Sequence, residues 1–131
     1  SGSFSPEKRE IYRAVLEVQK ATIAACRPGR DAAEIRRVAA ADLAARRVDA
    51  RGLGCDIHHF VGLSVHDGAP LDAPLRAGMV LTVEPALYYP EKNIGVRIED
   101  NILITAGGRE VLSAAAPKEI EEIEALFKNR D

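Results

Sequence analysis

No stretch of this chain holds the roughly 20 successive apolar residues that a membrane-spanning helix needs, and the first residues carry no apolar secretory segment. Neither sign of charge predominates. The 18 Lys and Arg are interspersed with 20 Asp and Glu for a net charge of −2, so there is no basic stripe for nucleic acid and no polybasic membrane patch. A cytoplasmic protein with neither nucleic-acid nor membrane partners is therefore expected. Cysteine is scarce as well: Cys26 and Cys55 form no C-x-x-C pair, and Cys26 reads as a free core thiol. No internal repeat occurs. What is there is a globular composition, 47% hydrophobic and 29% charged over 131 residues, enough for one domain with a real core.

Ser5 followed by Pro6 marks a helix start. Ile11, Tyr12, Val15, Leu16, Gln19, Thr22, Ile23 and Cys26 then follow the three-and-four spacing of one helix face, interrupted at Gln19 and more mildly at Thr22, until Arg27-Pro28-Gly29 ends it. Asp31 with Glu34 reads as a capping box. It opens a second helix to about Arg46, with a stripe of Ile35, Val38, Ala39 and Leu43, and the two helices are expected to pack as a pair.

From Arg51 onward glycines at 52, 54, 62 and 68 exclude helix, and Val61, Leu63 and Val65 alternate with Phe60, Gly62 and Ser64 as in a strand. Residues 67–74 read as loop, Arg76-Ala77-Gly78 as a turn into a strand over 79–84, and Pro85 as the end of regular pairing. After a loop at 89–93, Ile94, Val96 and Ile98 share one face of a strand while Gly95, Arg97 and Glu99 share the other. Strand continues over 101–105 to a turn at Gly107-Gly108, and 110–112 returns. Pro117 opens a last helix whose Ile120, Ile123, Leu126 and Phe127 lie opposite Glu119, Glu121, Glu122 and Glu124. Helices, then antiparallel strands, then a helix make the fold class α+β.

Two acidic residues, Glu84 and Glu99, fall where such a sheet should be apolar. Burying an unpaired carboxylate costs several kcal/mol, so something positive must face them. His59 and His66 punctuate the run just upstream, and imidazole beside two carboxylates is a nitrogen/oxygen donor set suited to a divalent metal.

The segments HFVGLSVHD, GMVLTVEPALY and GVRIEDNILIT, in this order and spacing, resemble the C-terminal half of the pita-bread metallopeptidases, nearest to the aminopeptidase P and prolidase types. SPEKREIY and the RPG after the first helix resemble the helical stretch that precedes those motifs. The resemblance covers nearly the whole chain. It implies half of a pita-bread fold, with two N-terminal helices, a curved and mostly antiparallel sheet and a C-terminal helix. Residues 1–131 would be a single domain, the C-terminal portion of a catalytic domain lacking its N-terminal half. It also implies a dinuclear site with five protein ligands, the last three mapping to His59, Glu84 and Glu99. Glu99 would bridge two ions, manganese first, with cobalt or zinc as alternatives. A bridging water would then attack the peptide bond next to proline, with Glu84 as general base. His66 matches a catalytic histidine that binds substrate and stabilises the tetrahedral intermediate, and Arg97 an arginine that supports the metal-binding carboxylates. Cys55 and Tyr88 fall at substrate-binding positions of the resembling family.

Two departures stand beside these matches. The family's first two ligands are aspartates on strands before the helical stretch, whereas Asp31, Asp42 and Asp49 lie on or beside expected helices. Cys55 stands four residues before His59, where Xaa-Pro peptidases usually place a histidine. The chain is thus expected to be a fragment of a dinuclear Xaa-Pro peptidase, inactive by itself and binding metal weakly or not at all. A proline-containing peptide is the expected substrate of the complete enzyme. A homodimer is expected, formed across an uncovered sheet edge. The alternative is a catalytically dead module of the same fold that binds a peptide or protein partner.

Overall fold

Ser5 opens the first helix: its hydroxyl accepts the Lys8 N–H at 3.3 Å, and Pro6 sits at the N-terminal position where a missing N–H costs nothing. Helix α1 runs Pro6–Ala25. The computed structural model describes residues 2–49, 59–67 and 73–128, so Cys55 lies outside the described residues. Asp31 Oδ1 accepts the Glu34 N–H at 2.7 Å while Glu34 Oε2 accepts the Asp31 N–H at 3.2 Å, the capping box that starts α2, Ala32–Ala45. The two helices pack together, as their stripes predict.

Among the described residues five strands follow: β1 (Val80–Val83), β2 (Ala86–Tyr89), β3 (Ile94–Arg97), β4 (Asp100–Thr105) and β5 (Gly108–Val111). They form one antiparallel sheet in the order β1-β4-β5 and a separate β2-β3 ladder. Val83 opposes Asp100 and Ala86 opposes Arg97, so both ladders keep one register and make a single long hairpin interrupted at residues 84–85 and 98–99. Pro85 makes the interruption. It has no N–H to donate, and its carbonyl receives only a long 3.4 Å bond from Ile98. The outer edge of β1 is covered by residues 59–61, through Thr82 N–H to His59 O at 2.8 Å and Val61 N–H to Val80 O at 3.2 Å.

Val15, Val18, Ile35, Ala39 and Leu43 of the helices meet Leu81, Val83, Leu87, Ile102 and Ile104 of the strands in one core. Each Val, Leu or Ile fully buried there contributes roughly 1.5–3 kcal/mol. Cys26 belongs to this core as a free thiol, and burial pushes its pKa up to about 11, so it stays protonated at neutral pH. A last helix, α3 (Ile120–Lys128), closes against α1. No helix among the described residues is long and apolar enough to cross a membrane.

Three sequence expectations give way. Residues 61–65 are not a strand, because Asp67 Oδ2 accepts the N–H groups of Leu63 and Ser64 and draws the segment into a loop over its carboxylate. Only glycine fits at 62, where a Cβ would lie 2.0 Å from Asp67 Oδ2. Val61, Leu63 and Val65 are exposed in consequence. Against the expectation that Pro85 ends regular pairing, the ladder resumes one residue later in β2, since proline removes only its own donor. Finally, Glu124 is not on the solvated face of α3. It is buried, accepting the Phe4 N–H at 3.0 Å and an ion pair from Arg9, while Leu126 and Phe127 are half exposed. The Phe4 N–H, with help from Arg9, holds the Glu124 pKa below the usual carboxylate range.

Gln19 lies fully buried on α1, and neither atom of its amide has a hydrogen-bond partner among the described residues. Such an orphaned group costs about 1–3 kcal/mol. Gln19→Leu is therefore expected to stabilise the chain by about 1–2 kcal/mol, seen as a higher urea midpoint with an unchanged slope. A lower midpoint would show that the amide is satisfied in solution.

Candidate metal centre

Register brings the two carboxylates together. Val83 and Asp100 are the last pair of the β1-β4 ladder, so Glu84 and Glu99 come next, opposite each other where the ladder breaks. Like charges placed so are mutually destabilising. Strand alternation puts Thr82 on the Glu84 face, and Thr82 Oγ1 donates to Glu84 Oε1 at 3.1 Å while accepting the His59 N–H at 3.1 Å. Arg97 Nη1 donates to Glu84 Oε2 at 2.7 Å, so a carboxylate only 3% exposed has both oxygens held. Glu99 itself is exposed.

His59 completes the group. Its Nδ1 lies 2.8 Å from Phe60 O, and because a carbonyl only accepts, Nδ1 must carry the hydrogen. Nε2, 2.9 Å from Glu84 Oε1, then faces that oxygen either as an imidazolium donor or as a lone pair sharing a cation with it. A ring nitrogen held by a backbone carbonyl while the other points at the site is the usual setting of a metal-ligating histidine. One ligand atom from each of His59, Glu84 and Glu99 lies within 4.8 Å of the others. This donor set fits manganese, cobalt or zinc, and the exposed Glu99 leaves one side open.

His66, at the end of the Asp67 loop, stands edge-on to His59 with ring centroids 4.9 Å apart, and is exposed. Tyr88 is 44% exposed, and its ring centroid lies 5.9 Å from the Arg97 guanidinium carbon. The bare backbone of Gly95 makes that placement possible, since a Cβ there would sit 2.9 Å from Tyr88 Cδ1. The structure thus gathers His59, Glu84, Glu99 and Arg97, with His66 and Tyr88 at the rim. Thr82 and Asp67 are additions to the sequence reading. Thr82 was findable two residues before Glu84 on the same strand face, and Asp67 from its position three residues after Ser64 and four after Leu63.

Arg97→Met leaves the buried Glu84 carboxylate with only His59 and Thr82. A loss of about 1.5 kcal/mol is expected, at the low end for a charged hydrogen bond because Arg97 is half exposed, with part of it restored by added Mn2+. A thermal melt unchanged from the parent chain would contradict this.

Residues 1–106 match the model of metallopeptidase family M24. Xaa-Pro aminopeptidase 2 from Streptomyces coelicolor is 39% identical over 157 residues, covering 95% of this chain and 33% of that protein. The mitochondrial intermediate cleaving peptidase 55 from Arabidopsis thaliana is 34% identical over 148 residues, covering 98% of this chain and 30% of its own length. Aminopeptidase P from E. coli, solved with the inhibitor Pro-Leu, superposes with a TM-score of 0.82 at 35% identity, over 98% of this chain and 36% of that one. The chain spans about a third of the length of these relatives. Its α+β arrangement is part of the pita-bread fold they share. With the family model matching most of its length and the likeness extending through its strands, the chain belongs to metallopeptidase family M24.

Proposed function

We propose that His59, Glu84 and Glu99 form one share of a dinuclear metal centre that hydrolyses the peptide bond next to proline, completed by carboxylates from polypeptide beyond these 131 residues. The observation that supports this most is the convergence of the three ligand atoms within 4.8 Å, in a chain 39% identical to an Xaa-Pro aminopeptidase. Residues 1–131 are on this reading the C-terminal portion of the catalytic domain. The setting is cytoplasmic, where the free Cys26 thiol needs no partner.

When bound, divalent ions, manganese before cobalt or zinc, supply Lewis acidity and acidify water at neutral pH. The chain's own residues hold, orient and move protons. Arg97 and Thr82 fix the plane of the Glu84 carboxylate, which takes the proton of the attacking water and passes it to the leaving nitrogen as the peptide C–N bond breaks. His66, exposed beside His59, donates to the oxyanion that develops on the peptide carbonyl. Tyr88 borders the substrate, a proline-containing peptide; Cys55, outside the described residues, takes the same role only by the resemblance of its motif.

Three ligands make an incomplete shell. The 131-residue chain with excess Mn2+ is expected to bind one ion, weakly, and to leave Xaa-Pro peptides uncut. Tight two-site binding in calorimetry, or turnover that vanishes in Glu99→Ala, would contradict that. Fusion to the remaining two thirds of the Streptomyces enzyme is expected to give metal-dependent cleavage of Xaa-Pro over Xaa-Ala peptides. A second reading, a peptide-binding module without catalysis, draws support from Cys55 and from the exposed Val61, Leu63 and Val65 beside the site. A folded fusion that binds metal and peptide but cleaves neither peptide would favour it. The same exposed residues, with β5 as the last strand of its sheet among the described residues, support a homodimer. Light scattering should then give twice the chain mass, and a persistent monomer at high concentration would contradict it.

A further inference from the structure

We infer that Asp100, clamped by Lys118 and Ser113, is a positioning residue that fixes Glu99 in the metal centre; the inference rests on the reading of that centre given above. Among the described residues Glu99 makes no hydrogen bond or ion pair of its own. It also sits where neither ladder holds the backbone, since β3 ends at Arg97 and β4 begins at Asp100. Ile98 adds only the 3.4 Å bond to Pro85. Whatever holds this carboxylate opposite Glu84 must act through a neighbour.

Asp100 is that neighbour. It is 2% exposed, and its Oδ1 accepts Lys118 Nζ at 2.7 Å and Ser113 Oγ at 2.6 Å. Ser113 Oγ in turn accepts the Asn101 N–H at 2.9 Å, and the Leu112 N–H donates to Asn101 O at 2.8 Å. Side chain and main chain at the start of β4 are thus both tied to residues 112–118, between β5 and α3. Alternation puts Asp100 on the face away from Glu99, so the clamp lies outside the site and touches neither ion nor substrate. A buried ion pair adds little net stability over apolar residues of the same volume. Its contribution here is placement: together with the ladder that pairs Asp100 with Val83, it holds the start of β4 from both sides and so sets the direction in which the Glu99 side chain leaves the backbone.

The test is calorimetric titration of Mn2+ alone into the 131-residue chain and its variants, at a temperature where circular dichroism shows each one folded. Asp100→Asn and Lys118→Met are expected to weaken Mn2+ binding about 10-fold or more, while Lys118→Arg, which keeps the charge, retains most of it. A clamp that served stability alone would lower the melting temperature and leave the affinity of the folded chain unchanged, and that result overturns the inference. Should Asp100→Asn not fold, Ser113→Ala removes one of the two bonds and carries the same comparison, with weaker binding in support and equal binding against. Glu84→Ala and Glu99→Ala separate the two levels. If neither changes Mn2+ binding, or the parent chain binds none, the metal reading fails and the inference with it; if they abolish binding and the clamp variants do not, the inference alone fails.

Discussion

A carboxylate buried to 3% exposure is the constraint from which the rest of this structure follows. Glu84 cannot remain there unless each oxygen is met, and it is met from three parts of the chain: Thr82 on its own strand, Arg97 across the hairpin, and His59 from the segment along the outer edge of β1. Removing a partner weakens what holds a buried charge, and for a charged hydrogen bond the cost is about 1.5–3 kcal/mol, as much as a whole buried aliphatic side chain contributes. The hairpin register, the Pro85 break and the docking of residues 59–61 are therefore coupled through a single side chain. The helices serve this arrangement from behind. The buried face of α1 presses on β1, β2 and β3, with α2 packed against α1, so that the polar group sits on a packed platform rather than on a loose ribbon.

Bringing Glu99 opposite Glu84 works against stability by itself. Arg97 offsets one of the two charges, and nothing among the described residues offsets the other. A cation placed among Nε2 of His59 and the two carboxylates would relieve the like-charge pair, with Nε2 then turning a lone pair to it in place of its bond to Glu84. On the proposed reading, that repulsion is the part of the local arrangement a bound cation would offset, a departure from stability of the kind functional sites carry.

Much of this was legible in the residues because the signals are local. Ser5-Pro6 and the Asp31–Glu34 box act within one helical turn, and each starts its helix where the spacing places it. The strand alternation that sets Arg97 and Glu99 on one face survives the break between the ladders, because the register does not slip there. The motif resemblance named the three residues that converge. What was not legible depends on side chains reaching for backbone or across the fold. Val61, Leu63 and Val65 alternate like a strand, yet the Asp67 carboxylate competes for the backbone N–H groups that a strand would need. Glu124 reads as a surface residue of α3 until the far end of the chain, Phe4 and Arg9, folds onto it. Asp100 likewise looks like an ordinary charge beside Glu99, and only the return of residues 113 and 118 shows what holds it.

The central claim is that His59, Glu84 and Glu99 converge in order to hold a cation. An anomalous-difference map from crystals of the 131-residue chain soaked in Mn2+ tests it most directly. The account predicts one peak in contact with His59 Nε2 and with carboxylate oxygens of both Glu84 and Glu99, with Arg97 still on the far oxygen of Glu84. A peak elsewhere on the chain, or none while Nε2 remains bonded to Glu84, would contradict it.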